Sequence, residues 1–278
     1  MKQRKVTVRR VKPVFLGSAC LLFSLCWPRA SAQTGDPGAA CASSELILRR
    51  YIDAVGGEEA IRQLETRTAD ATETEPYSFK PQETATYKYH FEWKTPDKVV
   101  SRSTHVGRML LARVPFAQTH FIFDGERWSD FQGKSSHPAN EAAFRKRLAF
   151  PYPFNAMLRV GADPLMVARP DELYSGFTMA NDSTLYPGQC VLEAQGTDGR
   201  IDVLYFDAIA GFLRTWKLQI YQPRHPFYIV FRFDDYRPAG DVKFPFYLYC
   251  DYYKAEFRYT QVIHNRPLSD ERFVIQNR

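Results

Sequence analysis

Residues 227–259 read FYIVFRFDDYRPAGDVKFPFYLYCDYYKAEFRY. In the first half Phe227, Ile229, Phe231 and Phe233 fall at every second position, with Arg232 and Asp234 between them. In the second half Phe244, Phe246, Leu248, Cys250 and Tyr252 alternate with Tyr247, Tyr249, Asp251 and Tyr253. A period of two is the spacing of a strand with one face on a core. Arg237-Pro238-Ala239-Gly240-Asp241 supplies the turn chemistry between the two runs. The stretch therefore predicts a long hairpin, and a concave sheet this aromatic is suited to lining an oily cavity.

Outward from that hairpin the same pattern recurs. Tyr87, Tyr89, Phe91 and Trp93 alternate with Lys88, His90, Glu92 and Lys94, a half-buried strand. Strands are expected at 66–75, 98–104, 108–114, 119–123 and 127–131, with Asp124-Gly125 turning the last two into a hairpin. Others follow at 189–194, 200–206, 213–221 and 256–262. Before them, Ser43 or Ser44 caps a helix from Glu45 to Val55 with Ile47, Tyr51, Ala54 and Val55 on its apolar face. Gly56-Gly57 stops it, and Glu58-Glu59 open a second short helix. Residues 135–175 interrupt the meander with four prolines and short helices at 141–148, 155–160 and 171–174, a candidate lid or sheet-edge cap. Regular strand and turn spacing predicts a mainly β (α+β) chain built on one antiparallel sheet.

The beginning of the chain reads differently. Lys2 to Lys12 is basic, Val14 to Trp27 is apolar, and Ala30-Ser31-Ala32 makes a small-residue cleavage site, the order of a signal peptide. Cys20 and Cys26 lack the residues expected before a lipidated cysteine, and the apolar run is short for a membrane span. The expected organisation is thus a leader over 1–32, a flexible lead-in over 33–43 and one domain over 44–278, in the periplasm. Of 37 Lys and Arg, seven lie in that leader, leaving 30 against 31 Asp and Glu and a formal charge of −1. The basic balance of the whole chain belongs to the leader, which removes the footprint expected of a nucleic-acid binder. Beyond the leader stand Cys41, Cys190 and Cys250. Cys190 and Cys250 both fall in expected strands, so a bridge between them is one expectation and buried thiols the other.

Motifs of catalysis are missing. There is no HExxH, GxSxG, P-loop, CxxC or nucleotide fingerprint. Asp234-Asp235, with Asp241 and Asp251, is the densest carboxylate group, but it lacks a calcium-loop pattern and reads as turn aspartates. The six histidines have no ligand spacing, so no metal and no cofactor is expected. Arg145-Lys146-Arg147 beside Phe144 and Leu148 reads as a solvated helix face, or as a peripheral contact for anionic lipid.

Four stretches carry a family resemblance. These are Ile47-Leu48-Arg49-Arg50-Tyr51-Ile52-Asp53-Ala54-Val55-Gly56-Gly57-Glu58-Glu59-Ala60-Ile61, Phe123-Asp124-Gly125-Glu126-Arg127-Trp128, Tyr205-Phe206-Asp207-Ala208-Ile209-Ala210-Gly211-Phe212-Leu213-Arg214, and Tyr236 to Pro245. Together they resemble the LolA/LolB-like outer-membrane lipoprotein-sorting superfamily, with Ala210 where that family's turn usually has Thr. The resemblance implies a strongly curved antiparallel half-barrel of about eleven strands, helices on its concave side, and acyl chains held in a hydrophobic cavity. It implies no catalytic residue.

Candidates to line such a cavity are Tyr89, Phe91, Trp93, Phe121, Phe123, Trp216, Phe231, Phe233, Phe246 and Leu248. Alternation alone leaves a filled core as the competing reading, because it does not say which face is concave. The functional expectation is an exported, non-enzymatic carrier of a lipid or lipoprotein acyl chain. The alternative is a structural or interaction module of the envelope with a filled core, docking a protein partner.

Overall fold

The computed structural model describes residues 40–77, 80–95, 98–106, 118–124, 128–129, 164–169, 173–180, 187–196, 199–220, 227–252 and 254–275. Two helices open the described chain, α1 (Ser44–Val55) and α2 (Glu58–Arg62). Strands β1 (Thr66–Tyr77), β2 (Lys80–Lys94), β3 (Lys98–His105), β4 (Gln118–Phe123) and β5 (Trp128–Ser129) follow. A short helix α3 (Pro164–Val167) precedes β6 (Tyr174–Met179), β7 (Gln189–Gly196), β8 (Ile201–Asp207) and β9 (Leu213–Ile220). The decisive stretch becomes β10 (Phe227–Ala239) and β11 (Val242–Cys250), and β12 (Ala255–His264) leads to a 3-10 turn at Asp270–Phe273.

All twelve strands form one antiparallel sheet, ordered β5-β4-β3-β2-β1-β12-β11-β10-β9-β8-β7-β6, an open half-barrel with β5 and β6 at its edges. Eleven of the twelve described strands fall on stretches read as strands in the sequence, and the twelfth, β6, falls at the end of the stretch read as a helical insert. Of the expected helix at 171–174, residues 171–172 lie outside the described ones, Leu173 is helical, and Tyr174 already opens β6. Its phenol is buried against β8, and its backbone pairs with Gly196. The expected helices at 141–148 and 155–160 and the strand at 108–114 lie outside the described residues, as does the Arg145-Lys146-Arg147 patch. The signal-peptide region 1–32 lies outside them too.

Helix α1 is placed by its caps. The Ser43 hydroxyl accepts the Leu46 N–H at 3.2 Å. At the other end Gly57 N–H donates to Ile52 O at 2.8 Å and Gly56 N–H to Asp53 O at 3.3 Å, the paired bonds of a Schellman stop. Gly56 has φ +133, and a Cβ there would sit 2.6 Å from Asp241 O in the β10–β11 turn, so only glycine fits. Gly211, in the β8–β9 turn, has φ +77 and would bring a Cβ to 2.9 Å from Arg50 O. The Arg50 guanidinium donates to Ala208 O and Ile209 O of that turn at 2.8 and 3.1 Å. Twelve residues make α1 about 18 Å long, enough to cross roughly four strands spaced ~4.8 Å apart. It contacts both β6 and β11. Its Ile47, Tyr51 and Val55 are buried, with the Tyr51 and Phe206 rings 5.3 Å apart.

The disulfide joins Cys41 to Cys190, tying the entry of α1 to the start of β7. This corrects the expected Cys190–Cys250 bridge. β7 and β11 are separated by three strands, about 19 Å between backbones at ~4.8 Å per step, far beyond the reach of a disulfide. Cys250 is a buried thiol at the end of β11.

Candidate ligand-binding face

One face of the sheet carries most of the core, and register identifies it. Leu204 pairs with Trp216, Trp216 with Phe231, Phe231 with Cys250 and Phe233 with Leu248. Leu248 in turn faces Phe257, Phe257 faces Glu73, and Ala71 faces Tyr89. Side chains of directly paired residues share a face, so this inner face runs continuously from β7 to β3.

The two ends of that face are filled differently. Toward β6, Trp216, Phe231, Phe233 and Leu248 are at most 2% exposed and pack in one cluster with Ile47, Tyr51 and Val55 of α1 and Leu165 and Val167 of α3. These four candidates are occupied by the chain's own core. Toward β3 the packing is looser: Tyr89 and Phe123 are buried, whereas Phe91 and Trp93 are half-buried. Phe246 lies between Phe244 and Leu248 in the same parity along β11 and is half-buried, with the Arg237 guanidinium 4.9 Å from its ring. Phe121 pairs with Ser101, and its side chain lies outside the described ones.

Small residues on β1 shape this looser end. Ala69 and Ala71 leave room above their strand, so rings from β2 and β12 meet across it. Phe91 and Tyr259 approach to 6.4 Å, and Tyr89 and Phe257 to 5.8 Å. Tyr89 also stacks on Phe91 at 5.3 Å. At the rim the Arg67 guanidinium stands 5.5 Å from the Trp93 ring and 4.9 Å from Phe244. Arg169 lies 5.7 Å from Trp93 on the insert side and donates to Ile61 O and Leu64 O, both at 2.9 Å.

Two buried carboxyls break the apolar face, and sequence reading passed over both. Asp202, 4% exposed, accepts from Tyr174 Oη at 2.9 Å, Trp216 Nε1 at 3.0 Å and the Gln219 N–H at 2.8 Å. Burial nonetheless pushes its pKa up. Glu73, 3% exposed, follows Ala69 and Ala71 on the inner side of β1. Burial raises its pKa to about 7 against the lowering effect of the Tyr89 hydroxyl that hydrogen-bonds it, and the Glu75 charge adds to the rise. Burial and the Glu73 charge drive the Tyr89 phenol upward, while Ser103 hydrogen-bonds the same hydroxyl. The signal for Glu73 was present: a carboxyl in step with two alanines, on the parity of a buried face.

The opposite face of β1–β3 is covered by the C-terminal segment. Arg272 binds the buried Glu92 carboxylate, and Lys98 Nζ reaches Asp270 at 2.7 Å. His90 lies between Asp70, at 2.7 Å, and Glu92, at 3.2 Å. Among the described residues no group of three His, Cys, Asp or Glu is arranged to hold a metal ion, and no helix is long and apolar enough to cross a membrane.

No family model and no curated protein matches the sequence. Solved structures show a likeness at low identity. One is described as an outer membrane lipoprotein-sorting protein domain from Vibrio parahaemolyticus, 13% identical with a TM-score of 0.48, covering 84% of this chain and 97% of that one. Another is a DUF1329 family protein from Desulfovibrio piger, 10% identical with a TM-score of 0.47, covering 87% and 100%. A third is a LolA superfamily protein from Nitrosomonas europaea, 11% identical with a TM-score of 0.45, covering 84% and 97%.

Proposed function

We propose that the protein is an exported carrier that holds an acyl chain against its inner face between β11 and β4 and works without catalysis. The observation that supports this most directly is the half-buried aromatic surface of Phe91, Trp93, Tyr259 and Phe246, continuous with a filled core yet not filled by it. Each methylene laid on such a surface contributes about 0.8 kcal/mol, so eight or so give about 6 kcal/mol without a polar contact. The Arg67 and Arg169 guanidiniums at the rim suit the anionic or ester end of a lipid. Export is supported by the leader read in the sequence and by the Cys41–Cys190 bridge, which needs an oxidising compartment.

The test is to purify the protein from cells, extract it and identify co-purifying lipid by mass spectrometry, then titrate a fluorescent fatty acid. Stoichiometric lipid and saturable uptake, weakened by Trp93→Arg, are expected. Delipidated protein that takes up no fatty acid ends the carrier reading. A second reading, an interaction module of the envelope with a filled core, is favoured by the complete burial of Trp216, Phe231, Phe233 and Leu248. A stoichiometric protein partner recovered with no lipid would support it.

A further inference from the structure

Charge along the inner side of β1 has a direction. The residues of that parity are Arg67, Ala69, Ala71, Glu73 and Glu75: a cation, two small residues and two acids. Arg67 and Glu73 lie about 20 Å apart along the strand, at ~3.3 Å per residue. Across on β2, Trp93 pairs with Arg67, Phe91 with Ala69 and Tyr89 with Ala71. The half-buried aromatic strip that would hold an acyl chain therefore runs between unlike ends. Glu73 is buried with the Tyr89 hydroxyl on its carboxyl, and Glu75 is half-buried two residues on. Burial raises the pKa of both, and the Glu75 charge raises Glu73 further, which marks that end as acidic. An anion finds no compensating charge on either carboxyl.

The opposite end gathers guanidiniums. Arg67 is half-buried on the apolar face and stands over the Trp93 and Phe244 rings, at 5.5 and 4.9 Å. Arg169, from the segment after α3, is 5.7 Å from the same Trp93 ring. Its bonds to Ile61 O and Leu64 O both leave from Nη2 and hold the group in place. A guanidinium over an aromatic ring keeps its N–H donors along its edges, in the plane that pairs two-to-two with an oxyanion. One such fork satisfies the two oxygens of a fatty carboxylate. Two forks at one ring suit a group with three accepting oxygens, which is a phosphate.

We propose that the carried lipid is anionic, with a phosphate head held by Arg67 and Arg169 beside Trp93, at the end of the strip away from Glu73 and Glu75. This rests on the carrier reading and names the class of lipid that the same face selects. Displacement of the uncharged fluorescent probe N-phenyl-1-naphthylamine from the full chain tests it. The competitors are dioctanoyl phosphatidate and dioctanoylglycerol, which has the same tails and no phosphate. Phosphatidate is expected to displace the probe at concentrations about tenfold lower or better, and about 0.5 M NaCl should shrink that ratio. Arg67→Gln and Arg169→Gln should each bring the ratio down to about threefold or less. Arg67→Lys keeps the charge but loses the fork, so it should give an intermediate ratio, and it serves where a glutamine variant fails to fold. Equal displacement by the two lipids overturns the inference and leaves the carrier reading standing. So does a ratio unmoved by these substitutions, or displacement by laurate or inorganic phosphate as strong as by phosphatidate. A chain from which neither lipid displaces the probe loses the carrier reading itself, and this inference with it.

Discussion

Cutting the Cys41–Cys190 bridge is the sharpest test of how α1 is held. The two cysteines are 149 residues apart, so the bond removes a very large loop from the freedom of the unfolded chain. The chain-entropy relation gives about 5 kcal/mol for a loop of that size. For a domain of this length, about 1 kcal/mol moves the melting temperature by roughly 2–4 °C, so full loss corresponds to roughly 10–20 °C. Cys41→Ser is the cleanest perturbation, because Cys41 is only partly buried whereas Cys190 is 2% exposed. Thermal melts by circular dichroism, for the wild type with and without reductant and for the variant, would give the number. Non-reducing peptide mapping would confirm the pairing. The loss should fall in that range and be the same by reduction and by substitution. A melting temperature unmoved by reductant, or a map linking Cys250 to either partner, would refute the reasoning.

Other substitutions probe the buried polar groups and the tight turn. Glu73 keeps its proton in the folded chain up to about pH 7, whereas the unfolded chain releases it near pH 4.5. The folded state therefore binds more protons in that window and stability falls as pH rises through it, by up to about 3 kcal/mol. Urea titrations at pH 5 and pH 8 should show this fall, and Glu73→Gln should flatten it; equal slopes in the two proteins would count against the buried acid. Asp202→Ala strands the donors of Tyr174, Trp216 and Gln219 and is expected to cost about 3 kcal/mol, with a red shift in tryptophan emission. A loss under about 1 kcal/mol would mean those bonds are not made. Gly56→Ala, with its Cβ driven toward Asp241 O, should destabilise by at least about 2 kcal/mol, whereas exposed Gly240→Ala in the neighbouring turn, with no atom within 4 Å of its added Cβ, should lose less in the same denaturation assay.

Much of the sheet could be read from period-two runs and turn residues. The 227–250 hairpin, the strand ending at Trp93 and the Asp207–Gly211 turn all announce themselves locally, since side-chain alternation and turn chemistry act within a few residues. Tyr174–Met179 did not, because Gly176 and Thr178 interrupt the apolar alternation and pairing to β7 supplies what propensity lacks. The cysteine pairing failed for a related reason. Strand membership said nothing of strand order, and the order put three strands between Cys190 and Cys250. For the site, periodicity could not say which face Trp216, Phe231, Phe233 and Leu248 line, and only packing shows α1 and α3 sharing their cluster. Glu73 and Asp202 stayed hidden because a carboxyl within a strand reads as solvated until its face is known.

The centre of the sheet joins β1 to β12, with Arg67 opposite His264 across 197 residues of chain. The two halves of the sheet are thus sewn together by a seam that exists only after the final strand has arrived. Until then each half presents a bare strand edge at its middle, prone to pairing with the wrong chain. A molecule stitched this way can zip up only once all of it has emerged, and a nascent chain halted before residue 255 should be a ready client for chaperones that bind bare strand edges.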